Sequence, residues 1–437
     1  MHPFVLVSLA LALAAPLAVA AAEPTEIDVL RQEIAAIRSA FEARLQALEQ
    51  RLQTAEATRA AAPPPAPPAA PAVPAPVAGA NAFNPAISLI LSGVYTNTSR
   101  DPAGYAIKGF ALPVGAEAGP GNRGFSLAET ELGLAANIDS WLRGATSIAL
   151  HGDNSVSVEE AYVQTTSLGG GLSLKAGRFF SGVGYLNAQH AHSWDFVDNP
   201  LAYQAMLGTQ YGDDGVQLSW LAPTEHYLEL TAELGRGRGF PGGDGARNGA
   251  GMRALALHTG GDIGDSHNWR AGLSVLSAKA SDQALIATDA AGTTLTNLFS
   301  GRTRAWIADA VWKWAPHGNA SQTSFKLQGE YLRSTRRGSL TSEAGDATDT
   351  DTTQSGWYLQ GIYQFMPRWR AGLRMDRLDA GGGLRPQKNT LMLDFNPSEF
   401  SRLRLQWAKD KARFGGADTQ LFLQYQMSLG AHGAHAY

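Results

Sequence analysis

The chain has 437 residues, a formal net charge of −4, 17% charged residues, 48 glycines and no cysteine. The missing cysteine excludes disulfides, thiolate metal sites and a lipid-anchored N-terminal cysteine, and the charge balance, with no basic face, excludes nucleic acid as an expected partner. Two or three ordinary domains would fit this length, but the composition points to one large sheet-based domain with appendages.

Met1 to Ala22 reads as a secretory signal peptide. Its apolar stretch runs from Phe4 to Val19, and Ala18-Val19-Ala20 gives a small-x-small cleavage site. Residues 23–57 are expected to form a periplasmic helix with a coiled-coil seam. Ile27, Leu30, Ile34, Ile37 and Phe41, then Leu45, Leu48, Leu52 and Ala55, step by three and four, with a stutter at Phe41. A single helix cannot hide that stripe, so it either oligomerises or packs on the rest of its own chain. Residues 58–82 form an Ala/Pro linker with eight prolines between Pro63 and Pro76, a semi-rigid polyproline spacer.

From residue 83 to 437 the pattern changes to runs of about ten residues that alternate apolar with polar, separated by Gly, Pro, Asn and Asp. In Thr303 to Ala315, Trp306, Ala308, Ala310, Trp312 and Trp314 share one face while Ile307, Asp309, Val311 and Lys313 share the other. Three features favour a membrane barrel over a soluble sandwich. Trp and Tyr sit near strand ends of the apolar face; the polar face carries charge that a sandwich core could not bury unpaired; and the connections alternate long and short. Sixteen runs can be placed, so the predicted fold is a 16-stranded antiparallel transmembrane β-barrel. Its long joints are expected at 98–125, 181–212, 237–250, 278–302 and 334–354.

The joint Ser181 to Gly212 has neither helical nor strand periodicity, yet it holds Tyr185, Trp194, Phe196, Tyr203 and Met206. A loop that long and that apolar is neither a short connection nor disordered; it is expected to fold inward and constrict a pore. Candidate constriction residues are Tyr185, Trp194, Asp195 and Asp198 of the loop, Glu129 and Glu131 of the second strand, and Arg370, Arg374, Arg402 and Arg404 of two late strands. Acidic loop residues facing an arginine ladder would set a transverse field and a charge preference; the alternative is ordinary hydrated lining. His190 and His192, with Asp195 and Asp198 nearby, would suit a metal ion such as Zn²⁺, or would knit the loop by hydrogen bonds. His432 and His435 are a weaker pair of the same type. His151, Asp153 and Ser155 lack a nucleophile elbow and oxyanion donors, so no enzyme is expected, and GRGRGFPGG (Gly235 to Gly243) reads as a flexible external loop without a phosphate-loop Lys-Ser/Thr.

Three passages carry a family likeness: NPAISLILSGVY (Asn84 to Tyr95), EEAYVQTTSLGGGLSLKAGRFFSGVGYLNAQHAHSWDFVDNPLAY (Glu159 to Tyr203) and MSLGAHGAHAY (Met427 to Tyr437). With the preceding coiled coil and proline spacer, the chain resembles Gram-negative outer-membrane proteins often labelled zinc-regulated outer-membrane receptors or porins. The order AGRF, long loop, GVQLSWLAP is similar to the phosphate-selective porin superfamily. The resemblance implies an outer-membrane barrel for small-solute or metal uptake, with Tyr437 as the terminal aromatic read by barrel-assembly machinery. True TonB-dependent receptors have a globular plug, and nothing between Ala22 and Asn84 could fold as one.

The reading is therefore an outer-membrane porin for passive diffusion, in contact with outer-membrane lipid, with its N-terminal segment in the periplasm. It is expected to be a homotrimer through coiled coil and barrel, possessing no cofactor unless zinc is transported or bound by the loop. A zinc or siderophore uptake porin, and a structural tether joining the outer membrane to peptidoglycan, are the alternatives.

Overall fold

The computed structural model describes residues 85–243 and 248–430, together with positions 39, 46, 47, 50 and 53, which are helical. The chain divides into two units, Met1–Val77 and Ala78–Tyr437. The signal peptide, the proline linker, the coiled-coil seam, His432, His435 and Tyr437 lie outside the described residues.

The second unit is a closed antiparallel β-barrel of sixteen strands. β1 (Ala86–Thr98) is followed by β2, which runs through Gly124–Leu127 and Thr130–Asn137. β3 (Leu142–Leu150), β4 (Val156–Thr165) and β5 (Leu172–Phe180) lead into the long inner loop. β6 (Gly212–Leu221), β7 (Tyr227–Gly235), β8 (Met252–Ile263), β9 (His267–Thr288) and β10 (Thr294–Trp314) follow. β11 (Ser324–Thr341), β12 (Ala347–Met366), β13 (Trp369–Asp379), β14 (Gln387–Ser398), β15 (Ser401–Asp410) and β16 (Asp418–Gly430) complete the wall. Closure is made by β1, which pairs with β16 from Ser88↔Gly430 to Thr98↔Gln420 on one side and with β2 on the other. Every strand backbone thus has a partner on both sides, which lipid requires of any sheet that crosses it.

The period-two pattern decides which side chains face outward. On β10, Trp306 is exposed while Ala305, Ile307 and Asp309 are buried inside; on β16, Leu421, Leu423 and Tyr425 are exposed while Gln420, Phe422 and Gln424 face in. The outer surface is therefore a continuous apolar belt with Trp141, Tyr331, Trp357, Tyr363 and Tyr425 among its exposed aromatics. The inner wall carries charged and polar side chains, interrupted by an apolar patch that includes Met252, Leu276, Ile307 and Leu332.

Two of the expected long loops are strand. Residues 278–302 continue β9 and β10 to a turn at 289–293, and 334–354 continue β11 and β12 to a turn at 342–346. Residues 334–354 are rich in Ser, Thr and Asp and polar on both faces, and in 278–302 a register shift between Ala280 and Gln283 breaks the alternation, so neither shows the sustained apolar face used to find strands, while backbone pairing propagates regardless. The loop Gly235 to Gly243 is not a free external segment either, since Phe240 is buried against Ala280, Leu285 and Phe299.

Two β-bulges shape one arc of the inner wall. Between Gly93↔Leu127 and Ile90↔Glu131, β2 carries one residue more than β1. Between Ser147↔Glu160 and Ile148↔Val158, β4 carries Glu159 as an extra residue. Bulges re-aim side chains locally, and here they collect glutamates inside.

Candidate functional site

Residues 181–211 fold into the barrel, and their neck is fixed first. Ser181 N donates to Tyr211 O at 3.0 Å. The buried Asn187 side chain donates to Ser181 O (2.8 Å) and Tyr211 O (2.9 Å) while its Oδ1 accepts from Tyr211 N (2.8 Å). Gly182 N donates to Glu233 of β7 at 2.8 Å. One asparagine and one wall glutamate therefore close a thirty-residue excursion at its base.

Further along the loop, Glu330 of β11 is the central anchor. It accepts from Tyr185 N (3.1 Å), Leu186 N (2.9 Å), Tyr203 Oη (2.8 Å) and Tyr358 Oη (2.6 Å). Burial, then the charge and hydrogen bond of Glu330, hold the Tyr203 phenol well above its ordinary range, so it stays a donor. Gly184 takes φ +70° against Glu330 and Tyr203, a left-handed conformation at a contact with no room for a Cβ.

The loop contains a seven-residue helix, α1 (Leu201–Leu207), ending at Gly208 with φ 66°. All seven of its residues are buried, so no polar face exists to give a helical period, which is why the sequence pattern is silent there. It packs on Met252, Ala254, Leu276, Ile307, Leu332 and Leu378 of the inner wall, and Leu201 N donates to Asp376 at 3.0 Å. Residues 99–123 also turn inward: Ile107 and Phe110 join the same cluster, and Gly119 N donates to Gln204 at 3.0 Å.

Beyond α1's position the loop meets a basic arc on β11 to β15. Asp195 pairs with Lys326 and with Arg370 (3.3 Å). Asp198 pairs with Arg374 (3.1 Å) and Lys388, and accepts from Gln406 (2.9 Å). Burial would push both carboxyls up, but Lys326 and Arg370 for Asp195, and Lys388 and Arg374 for Asp198, hold them well below the usual carboxylate range. Arg404 pairs with Asp394 at 2.7 Å, and Arg402 donates to His192 O at 2.8 Å. Arg374 also stacks over Phe196, 4.8 Å from its centroid. The guanidiniums of Arg374 and Arg404 are 1% exposed, so neither lines open water: Arg374 holds the loop through Asp198 and Arg404 is bonded to Asp394 of the wall; Arg370 and Arg402 stay half-buried. Tyr185 is buried with Arg270 above its ring at 5.3 Å, and Trp194 donates from Nε1 to Gln189 O at 2.9 Å.

The two histidines face a different arc. The aspartates expected beside them are held by the basic arc, and the carboxylates around His190 and His192 come from the bulged strands. His190 Nδ1 lies 3.2 Å from both Glu131 and Glu159, His190 Nε2 lies 3.0 Å from Glu160, and His192 Nδ1 lies 2.8 Å from Glu131. Burial would lower the His190 pKa, but Glu131, Glu159 and Glu160 raise it well above its ordinary value. Glu129 stands beside Glu131 and His192 within the same group. Glu159 and Glu160 were not among the sequence candidates, and neither was Glu330, Lys326 or Lys388; the last three lie on polar strand faces, where alternation does not say which residues meet the loop, and the adjacent Glu159 and Glu160 both turn inward only through the β4 bulge. His151 and Asp153 bond separately to Ser157 (2.7 Å) and Ser155 (2.6 Å), so they form no triad.

No family model matches the chain. An uncharacterized protein of Aquifex aeolicus is 31% identical over 392 residues, covering 82% of this chain and 80% of its own. The two belong to one family. Among solved structures, the anion-selective porin from Comamonas acidovorans is similar with a TM-score of 0.50 at 13% identity, covering 79% of this chain and 99% of its own. Outer-membrane expressed OmpT of Vibrio cholerae has a TM-score of 0.49 at 12% identity, covering 79% and 97%. The sixteen-stranded barrel of this chain has the fold seen in the Comamonas porin.

Proposed function

We propose that the chain is an outer-membrane channel for passive diffusion of small solutes or ions, narrowed by residues 181–211. The observation that carries this reading is a closed barrel with an apolar belt outside, charged arcs inside and one loop seated across the interior by buried ion pairs. The basic arc of β11 to β15 and the glutamates of β2 and β4 occupy separate parts of the wall. A permeating ion or dipole therefore crosses a transverse field, which orients it and sets charge preference. The short turns and both chain ends of the barrel lie at one rim, consistent with a periplasmic N-terminal segment and a homotrimer assembled by it.

The direct test is reconstitution of the full chain into planar bilayers. Stepwise ohmic currents with a reversal potential in a salt gradient support the channel; a sealed membrane at all voltages overturns it. A second reading, a sealed barrel that tethers the outer membrane to peptidoglycan, draws on three inward segments, 99–123, 181–211 and 236–243, and the same recording separates the two.

A further inference from the structure

We infer that His190, His192, Glu129, Glu131 and Glu159 form a binding site for a divalent transition-metal cation of the Zn²⁺ class, built where the inner loop meets the bulged strands β2 and β4. As a station for permeating cations the site rests on the channel reading above; as a metal site it does not.

The donor atoms already converge. Glu129, Glu131 and His192 form one triad and Glu131, Glu159 and His190 another, each with its ligand atoms within 4.8 Å of one another. The contacts of 2.8 and 3.2 Å across Glu131 are shorter than the ~3.4 Å edge of a tetrahedral site with ~2.1 Å bonds, so only a slight opening of the cluster admits an ion. Imidazole nitrogen with carboxylate oxygen, and no thiolate, suits Zn²⁺ and its first-row neighbours; Ca²⁺ and Mg²⁺ prefer all-oxygen cages.

Three independent features point to a cation. Among the described residues, no lysine or arginine forms an ion pair with Glu129, Glu131, Glu159 or Glu160, whereas on the other arc Asp195, Asp198 and Asp394 each pair with two basic side chains. Glu131 is only 6% exposed, and its Oε2 faces His192 Nδ1 at 2.8 Å and His190 Nδ1 at 3.2 Å; Glu129 Oε1 is buried without a hydrogen-bond partner. Burying the Glu129 oxygen without a donor is costly, and a metal ion shared with Glu131 and the histidines satisfies it.

The surroundings are those that orient metal ligands. His190 Nε2 faces Glu160 at 3.0 Å, and Glu160 is fixed by Phe180 N at 3.0 Å, so the ring presents Nδ1 to the other glutamates as a carboxylate–histidine pair does around zinc. Ser147 Oγ occupies Glu131 Oε1 at 2.6 Å, leaving Oε2 turned to the histidines. The short 3-10 turn Ala191–Ser193, tied by Ser193 Oγ to His190 O at 2.7 Å, holds the two rings stacked 5.6 Å apart. Glu159 enters as the extra residue of the β4 bulge, so that the adjacent Glu159 and Glu160 both reach His190, a placement that alternation alone could not achieve.

The test is calorimetric titration of the full-length protein in detergent with zinc chloride, repeated with calcium chloride and with the variants His190→Ala/His192→Ala, Glu160→Gln and His432→Ala/His435→Ala. The expected result is one zinc per chain, no comparable calcium binding, loss of more than 100-fold in affinity for the loop double variant, a 10- to 100-fold loss for Glu160→Gln, and no change for the C-terminal double variant. Retained heat-modifiable gel mobility establishes that each variant is folded. No zinc binding to the wild type, or binding that survives His190→Ala/His192→Ala, overturns the site. Current recordings on the same preparations keep the two proposals apart: a conducting barrel that binds no zinc removes the metal site alone, and a zinc-binding barrel that never conducts removes the channel alone.

Discussion

Glu330 gathers four donors at the heart of the barrel, two of them backbone amides of the loop and two of them tyrosine hydroxyls. Replacing it with alanine strands those donors in a buried site at about 1–3 kcal/mol each when uncompensated. Glu330→Ala should therefore loosen the loop by roughly 3–5 kcal/mol, read as protease cleavage within 181–211 and a larger, noisier single-channel conductance. Gly184→Ala should give the same phenotype by another route, because the new Cβ meets Glu330 and Tyr203 at a positive φ; a protected loop and unchanged conductance in both variants would refute this account of the anchor. At this scale the sequence shows only part of the site. The arginines stand out as charges on polar strand faces, and Asp195 and Asp198 as charges in an otherwise apolar loop. Glu330 looks no different from Gln328 beside it until the loop's amides are placed against it.

The loop as an element is held on the basic arc by two aspartates, and this fixes its response to acid. Free in solution their carboxyls titrate near 3.9; docked, they titrate lower. A depressed pKa stabilises the docked state fully above about 3.9, and the stabilisation fades as pH falls below that value toward the docked ones. Protease resistance of the loop is thus expected to stay level from pH 7 to 5 and to fall below pH 4. Asp195→Asn/Asp198→Asn, which leaves Lys326, Arg370, Arg374 and Lys388 without those charges, should release the loop already at neutral pH, since breaking one buried pair costs about 3–5 kcal/mol. Equal resistance of variant and wild type at pH 7 would show that the apolar seat of α1 suffices. The strands were readable because one face had to be greasy and the other wet. α1 and the hairpin tips 278–302 and 334–354 were not, because the helix is buried on every side, 334–354 is polar on both faces, and a register shift between Ala280 and Gln283 breaks the alternation of 278–302.

At the scale of the whole molecule, closure, strand number and inward folding of residues 181–211 follow from the sequence, since an even set of alternating runs with one apolar long loop admits few other arrangements. The distribution of charge around the interior does not, because it depends on which wall residues the loop neutralises. The basic arc sets Lys326, Arg370, Arg374, Lys388, Arg402 and Arg404 against Asp195, Asp198, Asp376 and Asp394, leaving it net positive, while the glutamates of β2 and β4 leave their arc negative. If solutes pass between these arcs, removing positive charge that is still partly open to the lumen must tilt the balance toward cations. Arg370→Gln/Arg402→Gln is the informative pair, as Arg374 and Arg404 lie buried beneath the loop. The reversal potential in a potassium chloride gradient should move toward the potassium value in this variant. The shift should be larger near 0.1 M salt, where charges act over about 10 Å, than near 1 M, where screening cuts that reach to about 3 Å. A shift independent of salt would mean that the substitutions had changed the shape of the opening, with the field across it playing no part.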